Sequence, residues 1–260
     1  MSQKTGEVEY NVVTADNASE YSALFQSIVE KGQPDNAVTV YKARNHIYRV
    51  PDKSGGWINI KDFKLPNIVN KYVYGNIRHS KARRSYENAL ELMRLGFSTP
   101  MPLGYGEVME GRCLTRSYYF SRQVDDIIEM RDVARHADWR ELLFALGKEM
   151  ARLHDAGVWM KDFSPGNVLF KRTPDGNYQF SYVDLNRINF NCTSRKKLMK
   201  MFGAMVYSPA HLMAIAEGYA SATGMKLKVV AREALIAMSR FEQRTARKKM
   251  LKQLLFKKQK

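Results

Sequence analysis

Between Met160 and Asn186 the chain spaces a carboxylate, an amide and a second carboxylate in a way that constrains everything around them. The stretch reads Met160-Lys161-Asp162-Phe163-Ser164-Pro165-Gly166-Asn167-Val168-Leu169-Phe170 and resumes as Tyr182-Val183-Asp184-Leu185-Asn186. Ser164-Pro165-Gly166 is turn chemistry, so Asp162 and Asn167 are predicted on a compact loop. Val168 to Lys171 and Phe180 to Asp184 read as two short strands joined by the turn Thr173-Pro174-Asp175-Gly176-Asn177, which puts Asp184 at a strand end. Singly, each residue has an ordinary reading: a turn former, a turn cap and a strand-terminal surface carboxylate. As an ordered set they are far more specific.

The surrounding order is strands, helix, strands, then mostly helices. An apolar run from Tyr21 to Val29 reads as a helix before the turn Gly32-Gln33-Pro34-Asp35. Val38 to Tyr41, Ile47 to Val50 and Trp57 to Phe63 are rich in β-branched and aromatic residues and read as an antiparallel meander. From Ser80 to Leu95 the period becomes helical, with Tyr86, Ala89, Leu90, Met93 and Phe97 as one buried stripe and Gly96 as the stop. Pro100, Pro102, Gly104 and Gly106 are expected to break the chain before a strand at Ser117 to Ser121. A second helix runs from Trp139 to His154, with Asp138 as its N-cap, and closes at Asp155-Ala156-Gly157. This is an α+β plan.

With 260 residues, 45% of them hydrophobic, the chain can bury a core without cross-links. Cys113 and Cys192 are too few for a disulfide framework and fit a reducing compartment. The first 21 residues lack the layout of a secretion signal, and no run approaches the roughly 18 apolar residues needed to cross a bilayer. The chain is therefore expected to be soluble or peripheral. Net charge is +16, and the region from Lys226 to Lys260 carries 12 Lys/Arg against Glu233 and Glu242, leaving only +6 elsewhere. Such a tail suits nucleic acid, an anionic membrane surface or an anionic substrate.

The Asp162 to Asn167 loop, with its following strand and Asp184, resembles the catalytic loop of protein-kinase-like enzymes. That resemblance implies a two-lobed fold, with a small antiparallel-sheet N-lobe bearing one helix and a mainly helical C-lobe. The boundaries would be 1–36 for an N-terminal extension, 37–123 for the N-lobe and 124–260 for the C-lobe. It implies that Asp162 orients and deprotonates an acceptor hydroxyl. Asn167 and Asp184 would hold Mg²⁺ against the phosphates of ATP. It also implies a strand lysine paired with a helix glutamate. Lys61 and Glu87 are the preferred pair, with Lys64 and Glu91 as alternatives. Asn45 is a candidate nucleotide contact in the turn Lys42-Ala43-Arg44-Asn45-His46-Ile47, although that turn has none of the glycines that let a backbone close over phosphates. Met160 and Lys161 replace the His and Arg of typical protein kinases before Asp162.

No long activation segment or Ala-Pro-Glu-like anchor follows Asp184. Together with Ile60-Lys61-Asp62-Phe63-Lys64 and Lys81-Ala82-Arg83-Arg84-Ser85-Tyr86-Glu87, the arrangement resembles lipopolysaccharide kinases of the Kdo/heptose kinase family over Val38 to Lys200. The resemblance implies an ATP-dependent phosphotransferase acting on a sugar hydroxyl of the lipid A inner core, peripheral at the cytoplasmic face of the inner membrane of a Gram-negative bacterium. The alternatives are an atypical protein kinase, a small-molecule kinase of the aminoglycoside or choline type, and a basic nucleic-acid-binding pseudokinase. Nucleic acid is the least expected partner, because a binding module needs none of Lys61, Asp162, Asn167 and Asp184. The tail has two open readings. Leu235, Ile236, Met238, Phe241, Met250, Leu251, Leu254 and Leu255 suit the buried stripe of a C-lobe helix, and Arg240, Arg244, Arg247, Lys248, Lys249 and Lys252 suit an anionic membrane. His154 is expected to cap a helix end, and no zinc site is expected.

Overall fold

The computed structural model describes residues 8–42, 45–53, 55–63, 78–125, 127–205 and 208–257. Lys64, the alternative lysine, lies outside them, as do Ala43 and Arg44. The chain divides into two compact units. One runs to Asp125 and takes back Asp184–Asn186, and the other takes the remainder.

The first unit is built on a six-stranded antiparallel sheet: β1 (Val8–Thr14), β2 (Val38–Lys42), β3 (His46–Pro51), β4 (Trp57–Asp62), β5 (Pro102–Glu110) and β6 (Cys113–Arg122), in the order β1-β5-β6-β4-β3-β2. Strand alternation sends successive side chains to opposite faces. Ile58, Ile60, Leu103 and Phe120 therefore share one face, where helix α1 (Ser22–Lys31) adds Phe25, Ile28 and Val29. Phe25 stacks flat on Phe120 with ring centroids 4.0 Å apart. The opposite face carries Phe63, Tyr105 and Tyr119 and receives helix α2 (Lys81–Arg94) through Ala82 and Tyr86. Lys61 falls between Ile60 and Asp62 in β4, so its side chain leaves on the α2 face.

Several features depart from the sequence reading. The segment expected as an N-terminal extension supplies an edge strand, β1, and a covering helix, α1. The glycines expected to break the chain before Ser117 lie inside β5. A Cβ on Gly104 would meet the Val13 carbonyl oxygen at 2.3 Å and one on Gly106 would meet the Val29 side chain at 2.3 Å, so they mark where β1 and α1 press on the strand. The buried stripe of α2 is Ala82, Ser85, Ala89 and Leu92, while Leu90 is exposed. Small residues are favoured there because the helix lies close on the sheet.

The second unit holds short β7 (Ile128–Glu129) and β8 (Trp159–Met160), the hairpin β9 (Val168–Arg172) and β10 (Tyr178–Tyr182), and β11 (Ile188–Asn189). Its helices are α3 (Trp139–Asp155), α4 (Arg195–Leu198), α5 (Lys200–Met205), α6 (Pro209–Thr223) and α7 (Leu227–Lys257). Asp138 makes no capping bond to α3; its carboxylate pairs with Arg172 instead. His154 is no cap either. It is buried, with Nδ1 3.0 Å from the Tyr219 hydroxyl, and burial, with Arg195 nearby, pulls its pKa down to about 4. The tail helix α7 buries Val230 and Ala234, but Leu235, Ile236, Phe241, Met250, Leu251 and Leu254 are exposed. Of the stripe that one of the two readings of the tail would bury, these six residues are exposed. No described helix is long and apolar enough to cross a membrane.

Candidate active site

In the second unit the loop after β8 is fixed by its own hydrogen bonds. β8 pairs with β11, and the Lys161 N–H donates to the Arg187 carbonyl at 3.1 Å. This brings Arg187 beside Asp162, where Nη1 donates to both carboxylate oxygens at 3.2 and 3.0 Å. Phe163, the next residue, is buried and anchors the loop against Tyr182. Asn167 closes the turn with its N–H to the Ser164 carbonyl at 2.8 Å, and its Nδ2 donates to the Asp162 carbonyl at 2.8 Å. The amide is thereby oriented, and its Oδ1 accepts no hydrogen bond from a described residue. From the hairpin side, the Val183 N–H donates to the Asn167 carbonyl at 3.0 Å, and Asp184 is the next residue in the chain.

In the first unit Asp184 takes a left-handed backbone, φ +60°, unusual for a residue with a side chain. Its Oδ1 accepts from Lys61 Nζ at 2.6 Å and from Asn186 Nδ2 at 2.8 Å, leaving Oδ2 without a donor among the described residues. Asp184 is past the end of β10, which stops at Tyr182, so the turn of the backbone rather than a strand end aims the carboxylate. Helix α2 clamps the same segment: Asn88 Nδ2 donates to the Leu185 carbonyl at 2.6 Å and Arg84 Nη1 to the Asn186 carbonyl at 2.7 Å.

One expectation is corrected here. The expected ion pair between Lys61 and Glu87 is not formed. Arg84 and Asn88, one turn apart on α2, meet the carbonyls of Leu185–Asn186. Glu87 instead pairs with Arg83 at 2.7 Å and His79 at 3.1 Å; burial raises its pKa, but these partners outweigh that and hold it below the usual carboxylate value. Glu91 pairs with Arg94. Lys61 takes its counter-charge from Asp184. Asn45 follows β2 and has a buried Oδ1 without a hydrogen-bond partner among the described residues.

Arg187, Asn186, Arg84 and Asn88 were not singled out by the sequence reading. Helical spacing of Arg84 and Asn88 was the available signal for the clamp. For Arg187 there was only its closeness to Asp184 in the chain.

A six-stranded sheet unit and a largely helical unit, with this loop and hairpin, define a phosphotransferase of the protein-kinase-like class. Two solved structures share the fold. WaaP in complex with acyl carrier protein superposes with TM-score 0.61 at 15% identity, covering 91% of this chain and 98% of that chain. Amicoumacin kinase hAmiN in complex with AMP-PNP, Ca2+ and Ami gives TM-score 0.54 at 11% identity, covering 85% and 88%. The family model for the lipopolysaccharide kinase (Kdo/WaaP) family matches residues 66–212, more than half of the chain, and the chain belongs to that family. No curated protein matches the sequence significantly.

Proposed function

We propose that this lipopolysaccharide kinase transfers the γ-phosphate of ATP to a sugar hydroxyl, of Kdo or heptose, in the lipid A inner core. The observation that carries the reading is the Asp162 loop. Its carboxylate is held by Arg187 and its carbonyl by the Asn167 amide, so Asp162 and Asn167 are oriented by the same short turn. Asp162 accepts the proton of the attacking hydroxyl and aligns that oxygen for in-line transfer. Lys61, on its strand, neutralises phosphate charge. Asn45, with its buried carbonyl oxygen lacking a donor among the described residues, is proposed as a contact to the nucleotide.

The donor set suits Mg²⁺, a hard cation that takes oxygen ligands. Asn167 offers its amide Oδ1 and Asp184 its carboxylate Oδ2, and neither oxygen is occupied by a donor among the described residues. When bound, the ion neutralises charge on the phosphate oxygens. Glu87 remains tied to Arg83 and His79 and takes no direct part.

An acceptor embedded in an anionic leaflet fits the basic tail, and the enzyme is proposed to work peripherally at the cytoplasmic face of the inner membrane. The test is incubation with Mg·ATP and labelled γ-phosphate in three arms: Kdo-lipid A, a generic protein substrate and no acceptor. Label on the glycolipid alone supports the reading. Label on protein alone, or on neither, refutes it.

A further inference from the structure

Helices α4, α5 and α7 enclose a groove of about 690 Å³ that the proposed chemistry does not use. Its volume lies within the range of small-ligand pockets, roughly 300–1,000 Å³. Gly203 in α5 sets its depth. A Cβ there would meet the Ala237 carbonyl oxygen at 2.6 Å and the Phe241 Cβ at 3.1 Å, so α5 and α7 approach backbone to backbone. Along α7, Glu233, Arg240 and Arg244 fall at helical spacing on the lining face. Lys196 and Lys200 line it from α4 and α5.

The charges are not balanced within the groove. Its one carboxylate, Glu233, is taken by Arg195, with Nη2 2.6 Å from Oε2. Lys196, Lys200, Arg240 and Arg244 have no ion-pair partner among the described residues. Four exposed cations around one concavity repel one another, and a bound anion relieves that. Apolar surface lies among them: Ile236 and Phe241 line the groove and are 39% and 45% exposed. The same helix continues to exposed Met250, Leu251 and Leu254.

We propose that this groove binds the phosphate headgroup of an anionic lipid, with the cations on the phosphate and Ile236 and Phe241 against the start of its acyl chains. Nucleic acid and acidic protein segments supply the charge but give no reason for exposed aliphatic and aromatic side chains at the same place. The inference rests on the reading that the enzyme works at an anionic membrane. It goes further by assigning contact to a defined groove rather than to the whole basic tail.

The experiment compares Lys196→Glu/Lys200→Glu, in the groove, with Arg247→Glu/Lys249→Glu, on the tail helix α7 but not lining the groove. Both are measured by sedimentation with phosphatidylcholine vesicles with and without phosphatidic acid, and Lys196→Gln/Lys200→Gln provides a milder substitution should the reversal unfold the protein. The groove pairs should weaken binding to phosphatidic acid vesicles by about tenfold or more, and the control pair by much less. ATP turnover on detergent-solubilised acceptor should be unchanged in all of them. Its loss in the unmodified protein would strike the kinase reading and leave the vesicle result intact. Equal losses from groove and control pairs would overturn the proposal, since they mean diffuse attraction to the tail. So would saturation of the groove by inorganic phosphate, an acidic peptide or duplex nucleic acid with no competition from vesicles.

Discussion

The ammonium of Lys61 lies 2.6 Å from Oδ1 of Asp184, joining residues far apart in sequence within one unit. Both side chains are largely shielded, 16% and 30% exposed, so their attraction is screened less than that of a surface pair. In the proposed reaction Oδ2 of Asp184 would hold the metal ion while Oδ1 keeps Lys61 beside the phosphates. The pair holds both groups in place before ATP arrives.

Lys61→Met should lower kcat/KM by about 10²-fold or more, because a preorganised cation is lost from the developing phosphate charge. Glu87→Gln and Lys64→Met should stay within a few-fold of the parent. Steady-state kinetics on the proposed glycolipid acceptor decides this. A large loss from Glu87→Gln would restore Glu87 as the partner of Lys61 in the working enzyme.

Asp162→Asn should abolish transfer, by about 10²-fold or more, while leaving ATP affinity nearly unchanged, since Asp162 is proposed to act on the acceptor. Arg187→Gln should reduce kcat by a smaller factor and also spare ATP affinity, because Arg187 acts by holding the Asp162 carboxylate. Nucleotide titration beside turnover separates the two parameters. Near-full turnover of Asp162→Asn removes it from the mechanism.

Asp184→Ala should weaken Mg·ATP binding more than Asn167→Ala, because a carboxylate brings charge to the cation where an amide brings only a dipole. Calorimetric titration with and without Mg²⁺ measures the ranking. Equal, small losses would contradict the proposed ligands.

Stability should fall on acidification through His154. Its folded pKa of about 4 lies below the ordinary 6.5, so between these values the unfolded chain binds a proton that the folded chain refuses. Stability is therefore intact above pH 6.5 and is lost as pH falls toward 4, by on the order of 2 kcal/mol between pH 7 and 5. Melting curves of the parent should show this slope, and His154→Gln should flatten it. An unchanged slope in the variant assigns the effect to other groups.

The strands at Val38–Lys42, His46–Pro51 and Trp57–Asp62 and the helices at Lys81–Arg94 and Trp139–Asp155 were legible because hydrophobic period and turn residues agree there. The loop from Asp162 to Asn167 was legible because its residues are contiguous. Partner choice was not. Whether Lys61 meets Glu87 or Asp184 depends on contacts distant in sequence: Asp184 is 123 residues from Lys61, and Glu87 is taken by Arg83 and His79. Gly104 and Gly106 misled for a related reason: locally they are breakers, and only the approach of β1 and α1 makes them strand residues. Asp184 at φ +60° was equally hidden, since nothing in Val183-Asp184-Leu185 announces a left-handed residue.

The pairing of Val8–Thr14 with Gly104–Glu110 bears on how the chain is made. At about 5–20 residues per second, the ribosome releases β1 roughly 5–20 s before its partner strand exists. During that interval a strand edge and the apolar face of α1 stand open in the nascent chain, a natural target for chaperones. Ribosome-arrested chains ending before Pro102 should accordingly be cut readily by protease within their first forty residues, and chains extended past Arg122 should resist.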